Sequence, residues 1–121
     1  MVNRGDIVIV VGLLDPQGRN PKDRACVIVS TPEQIAAGGL LKLVAITTVL
    51  PDPLPSDHVP LPWHAQRHPR TGLNKRNAAV CSWRIEVDAS RFARTIGRIP
   101  DRRLYEIDVI LQTLNEQDEA E

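Results

Sequence analysis

Apolar residues in this chain come in short runs, and proline or glycine closes almost every one of them. Ile7-Val8-Ile9-Val10-Val11 stops at Gly12, and Ala25-Cys26-Val27-Ile28-Val29 stops at Ser30-Thr31-Pro32. The run from Leu40 to Thr48 lies between Gly38-Gly39 and Pro51-Asp52-Pro53-Leu54-Pro55. Ten prolines and seven glycines in 121 residues leave little room for long helices, because Pro removes a helix hydrogen bond and Gly weakens the ladder. β-Branched runs of this length read as short, largely buried strands. One stretch obeys a different period. After Pro100-Asp101, Leu104, Ile107, Leu111 and Leu114 recur at spacings of 3, 4 and 3, with Val109 and Ile110 widening the face. That is the stripe of an amphipathic helix.

The punctuation divides the chain into elements. Strands are expected over residues 5–11, 24–30, 40–48, 78–87 and 95–99, the fourth bent at Trp83. Residues 58–61 form a short extended piece that Pro60 confines to an edge or a strand end. Thr31-Pro32-Glu33-Gln34 predicts a capped helical turn or two, and Asp88 caps another. Residues 15–23, 51–55 and 63–77 read as loops. The acidic residues from Asn115 onward read as a frayed tail. Short strands followed by one helix predict a mainly β fold with a C-terminal α-helix, a small curved antiparallel barrel or half-barrel. Residues 1–115 form its single domain, and 116–121 its acidic tail. With two Trp, one Tyr and one Phe the core is aliphatic, so Trp63 and Trp83 stand out.

The charges are unevenly placed. Fifteen basic and fifteen acidic side chains cancel over the whole chain. Residues 56–103, however, hold ten basic residues against four acidic ones, and residues 104–121 hold six acids and no base. Nine of those ten bases are Arg, whose planar fork suits phosphate. The zero sum is therefore no objection to a nucleic-acid partner. Ordinary hydrophobicity argues against a disordered chain. No run approaches the ~20 apolar residues of a membrane-spanning helix. No secretory signal is read at the N-terminus, and a cytoplasmic protein without membrane contact is expected. Cys26 and Cys81 sit in apolar runs without a CxxC pattern, which fits buried free thiols.

Few residues suggest chemistry. The chain has no HExxH, GxSxG or Gly-rich phosphate loop, and His58, His64 and His68 lack a dependable ligand spacing, so neither metal nor cofactor is expected. What remains is Arg24 at the start of the second strand and Thr47-Thr48 at the end of the third. A guanidinium and a hydroxyl on adjacent strands suit a phosphate.

Arg4-Gly5-Asp6-Ile7-Val8, Asp15-Pro16, and Arg24 before a Val/Ile-rich strand resemble the MazF/PemK family of toxin ribonucleases. Leu43 to Thr48, His58-Val59-Pro60-Leu61, Thr71-Gly72-Leu73, Val87 to Phe92 and Ile96 to Leu104 continue the resemblance in the family's order, over about residues 3–114. The resemblance implies an SH3-like barrel of the MazF/CcdB type, acting as a homodimer. It implies the toxin of a type II toxin–antitoxin module, a metal-independent endoribonuclease that cuts single-stranded RNA, restrained by a cognate antitoxin. The family's catalytic Arg and Thr fall on Arg24 and Thr47. Thr48, Trp83, Arg84, Asp15 and Arg19 are candidate substrate contacts. Ala25 stands where the family commonly has Pro. In Ser82-Trp83-Arg84-Ile85-Glu86-Val87-Asp88, the Arg stands one place earlier than the family's, at Arg84 instead of Ile85. On a strand, that step turns a side chain to the other face, unless a bulge restores it. Two other classes stay open: a barrel that binds RNA or protein without turnover, and a CcdB-type gyrase poison.

Overall fold

The computed structural model describes residues 1–120. The strands are β1 (Asp6–Leu13), β2 (Lys22–Ile28), β3 (Leu40–Thr47), β4 (His58–Pro60), β5 (Ala78–Asp88) and β6 (Phe92–Arg98), and the helices are α1 (Pro32–Ala37) and α2 (Asp101–Ala120). The strands form one sheet in the order β4-β5-β3-β2-β1-β6, and every pairing is antiparallel. β4 and β6 are the edges, so the expected barrel is the half-closed version. The sheet nevertheless curls: Leu41 of β3 and Phe92 and Thr95 of β6, separated in strand order by β2 and β1, line one cavity.

Strand alternation sorts the core onto two faces. Ile7, Val27, Val44, Ile46, Ala79 and Cys81 point to one face, where Leu104, Ile107, Leu111 and Leu114 of α2 pack. The residues between them in sequence, Val8, Val10, Cys26, Ile28, Leu43 and Ala45, point to the other. Cys26 and Cys81 are therefore separated by the sheet, and both are free. Ile7, Val27, Leu43 and Ile107 are fully buried. Arg4 ties α2 down, donating to the Val29 carbonyl and pairing with Asp108.

Several boundaries differ from those the sequence predicts. β1 continues to Leu13 because a register shift absorbs Gly12, at φ +63°, whose N–H donates to Asp23 Oδ1 at 3.1 Å. β2 ends at Ile28 because Val29 and Ser30 both donate to the Lys42 carbonyl, at 2.9 and 3.2 Å, which closes the ladder. β6 starts at Phe92, directly after the turn capped by Asp88. The expected frayed tail is helical from Asn115 through Ala120. Arg84 explains part of this, donating to Asn115 Oδ1 at 2.9 Å and pairing with Asp118 at 3.2 Å. Glu121, the last residue of that expected tail, lies outside the described residues.

Two irregularities position the site. In β5, Arg84 pairs with Val44 and Val80 with Ala45, so Cys81, Ser82 and Trp83 bulge against a single step of β3. The expected bend at Trp83 is this bulge. Elsewhere, the loop over residues 62–77 meets β6 backbone to backbone. A Cβ on Gly97 would lie 2.3 Å from the Arg70 carbonyl oxygen, and one on Gly72, at φ +73°, would lie 2.2 Å from the Ile96 oxygen. The loop organises itself through Thr71, whose hydroxyl donates to the Pro62 carbonyl at 2.8 Å and accepts from Leu73 N at 3.2 Å. His64 and His68 accept backbone N–H groups in the same loop.

Candidate functional site

Cys26 pairs with Ala45 across β2 and β3. Continuing that register two residues outward sets Arg24 opposite Thr47, on the face that carries Cys26 and Ala45. Trp83 packs against the same cluster from the β5 bulge. Arg24 is held from three sides. Its Nε donates to the Leu13 carbonyl at 2.9 Å, its Nη2 donates to the Asn20 carbonyl at 2.8 Å, and its guanidinium lies 5.1 Å from the Trp83 ring centroid. That distance is within reach of a cation–π attraction. The Nη1 end has no protein partner among the described residues, so a fixed positive charge presents free donors. The Thr47 hydroxyl accepts from Val49 N at 3.0 Å, which fixes its position where β3 gives way to loop.

Beside this pair opens a cleft of about 400 Å³. Its apolar lining, with Ala25, Ile46 and Leu73, comes from the α2 side of the sheet, and Arg24, Thr47 and Thr48, at the strand ends, also line it. Lys22, Arg67, Lys75 and Arg94 line it as well, giving five cations with Arg24 against one carboxylate, Asp23. Asp23 already accepts from Gly12 N. Among the described residues, none of the five cations has a carboxylate within salt-bridge distance. An unneutralised concave patch of this kind concentrates field and attracts polyanions.

The remaining predicted contacts fall elsewhere. Asp15 is spent on its own loop: its carboxylate accepts from Gln17 N and Arg19 N, at 3.0 and 2.9 Å, and from Asn20 Nδ2 at 2.9 Å. The Arg19 backbone hydrogen bond foremost holds that carboxyl below its usual pKa. Asp15 therefore shapes the segment that carries Asn20, and through it Arg24. Arg19 is exposed on the same loop and does not line the cleft. Arg84 faces α2, engaged by Asn115 and Asp118, and lines a separate hollow with Leu111 and Lys42. The one-place displacement thus has its full effect: Ile85, not Arg84, joins the face of Trp83 and Arg24. The bulge reaims Trp83 and leaves the Arg on the wrong side.

Lys22, Arg67, Lys75 and Arg94 are the cleft residues that sequence reasoning did not single out. Three of them belong to the basic middle block, and that excess was the available signal. Lys22 comes from the charge-neutral first half, where nothing marked it. Chemically the site offers fixed positive charge and hydroxyl donors. Cys26, whose Sγ lies 3.8 Å from the Arg24 carbonyl, is no nucleophile at neutral pH: burial pushes its thiol up to about 12, against the pull of Arg24.

Residues 3–114 match the family described as PemK-like, MazF-like toxin of type II toxin–antitoxin system. Among solved structures, MazF from Deinococcus radiodurans superposes with a TM-score of 0.73 at 18% identity, covering 95% of this chain and 96% of that one. The Mycobacterium tuberculosis toxin MazF-mt6 gives a TM-score of 0.65 at 16% identity, over 90% and 96% of the two chains. An endoribonuclease solved in complex with its cognate antitoxin, from a mycobacterial species, gives 0.68 at 16% identity over 93% of each. At these identities the structures testify to the fold. Compared by sequence with curated proteins, the chain has no significant match.

Proposed function

The chain belongs to the PemK-like, MazF-like toxin family of type II toxin–antitoxin systems, and from that premise we propose that it is a toxin that cuts single-stranded RNA without a metal. The observation that carries the reading is that Arg24 and Thr47, from adjacent strands, both line a cleft that holds five cations and one carboxylate. In this reading the cleft gathers the RNA backbone, and the scissile phosphate rests between the free end of Arg24 and Thr47. The RNA's own 2′-oxygen attacks phosphorus and loses its proton, the bond to the 5′-oxygen breaks, and that oxygen leaves protonated. The products are a 2′,3′-cyclic phosphate and a 5′-hydroxyl. Charge grows on the non-bridging oxygens in the pentacoordinate state, and Arg24, held before substrate arrives, stabilises it there.

The same reading includes a homodimer, a cytoplasmic site of action and a cognate antitoxin. No helix among the described residues is long and apolar enough to cross a membrane. An antitoxin with a disordered acidic segment suits the cleft, since such a segment orders on binding and competes with phosphate for the same cations. The second reading, binding without turnover, draws on Ile85, which puts an apolar side chain on the site face where the family's Arg belongs.

Incubation of the purified protein with single-stranded RNA in EDTA decides between the two. Cleavage that persists under chelation and falls by about 10²–10³ in Arg24→Ala, the range for a lost transition-state donor, is the expected result. Tight RNA binding with no cleavage of any short sequence would establish the binding module instead.

A further inference from the structure

Trp63 lies outside the Arg24–Thr47 pair, yet it is 42% exposed in a protein that has only two tryptophans. It lines a second cavity of about 410 Å³ together with Leu54, Pro51, Pro60 and Arg76. Asn77 lines both this cavity and the basic cleft, so the two are neighbours across one side chain. Asn77 is 4% exposed, and its amide nitrogen donates to the Leu61 and Lys75 carbonyls at 3.3 and 3.0 Å. Its carbonyl oxygen is buried without a donor.

We propose that the Trp63 cavity is a nucleobase subsite, taking the base of a nucleotide that flanks the one held in the basic cleft; the proposal rests on the RNA-cleaving reading above. Three features favour a base over other occupants. The walls are an indole and two prolines, flat surfaces that accept a planar ring. Arg76 lines the cavity and the neighbouring Lys75 lines the cleft beside it, so two cations stand where the two meet, against the one carboxylate of Asp52. The cavity also adjoins the cleft, separated from it by Asn77, so a strand lying along the cleft brings a flanking nucleotide within reach of it. Stacking gives the affinity here.

The test uses uncleavable oligonucleotides, with a 2′-deoxy residue at the cleavage position, binding to the full chain and to Trp63→Ala and Trp63→Phe. Trp63→Ala is expected to bind about tenfold more weakly, within the range for one lost stacked base, and Trp63→Phe to recover most of the loss. An abasic residue at the flanking position is expected to weaken the unsubstituted protein to the level of Trp63→Ala and to leave Trp63→Ala unchanged. Unchanged melting temperatures of the variants separate this from misfolding. If Trp63→Ala binds and cleaves like the original chain, the subsite is overturned while the ribonuclease reading stands. If the protein neither binds nor cuts RNA, both fall. If, in a Trp83→Phe protein, Trp63 emission shifts with protein concentration in the absence of RNA and adding RNA does not change it, the cavity is an interface between two copies, and the proposal is overturned in favour of that one.

Discussion

Arg24 and Arg84 show what a single position on a strand decides. Both are half-exposed guanidiniums in β strands, but one turns towards Trp83 and Thr47 and the other towards α2. Parity along the strand allowed this difference to be anticipated in Arg84, and the bulge was the one device that could have reversed it. It did not, since Arg84 remains opposite Val44 on the helix side. Arg84→Ala is accordingly expected to leave RNA cleavage within about twofold. It should also lower stability by no more than about 1 kcal/mol, as for an exposed ion pair. Denaturant unfolding and a cleavage assay check both. A hundredfold loss of activity in Arg84→Ala would mean that this residue, not Arg24, meets the phosphate. Asp15 taught the opposite lesson: its residue type and loop were read correctly from sequence, but its carboxylate is consumed by neighbours whose geometry only the folded loop reveals.

At the scale of elements, the β5 bulge was legible only as a bend at Trp83. What holds it was not, because its partners lie more than twenty residues away. The Asp57 carbonyl accepts from Cys81 N at 2.8 Å, and the Asp57 carboxylate accepts from the Ser82 hydroxyl and meets His58 Nδ1 at 2.7 Å. Asp57 thus pins the three residues that aim Trp83 at Arg24. Partial burial raises the pKa of that carboxyl, but the hydrogen bonds from Ser82 and His58 outweigh it and hold it below the usual range. A depressed carboxyl contributes stability above its unfolded pKa, about 3.9 for Asp, and loses it as pH falls through the folded value. In a Trp63→Phe protein, Trp83 emission should stay constant from neutral pH to about 4 and change below that. In Asp57→Ala the emission should already be altered at neutral pH, with cleavage several-fold slower. A transition already complete at mildly acidic pH would instead take control of Trp83 away from Asp57. The other elements were readable because they rest on local signals, such as the Thr31–Gln34 capping box of α1 and the α2 stripe that places Ile107 in the core. The helical end of α2 was missed because Arg84, far away in sequence, supplies its anchor.

For the whole molecule, charge is sorted by the fold more sharply than along the chain. Linear counting found a basic middle and an acidic end. Folding moves Lys22 from the neutral part to Arg67, Lys75 and Arg94 around one cleft. It also fastens the acidic end of α2 to Arg84, opposite Val44 in the middle of β3. If phosphates occupy four or five of these cations, log K for single-stranded RNA should fall against log salt with a slope of roughly −3. Equilibrium binding of an uncleavable strand between about 50 and 200 mM salt measures it. A flat line would remove the cleft from the RNA path.

The contact of the 62–77 loop with β6 at Gly72 and Gly97 bears on how quickly a strand is captured. That loop has no helix or strand of its own, yet it carries Arg67 and Lys75. Main chain meets main chain at both glycines, and Leu73 is buried in the core that Ile96 of β6 joins, so this wall is firmly seated. The gap it borders is already open before anything arrives, so a strand that reaches it meets no gating step. If the cleft takes RNA as proposed, capture should proceed at the pace of diffusion and electrostatic attraction, and differences in affinity among RNA sequences should emerge in how long each strand stays.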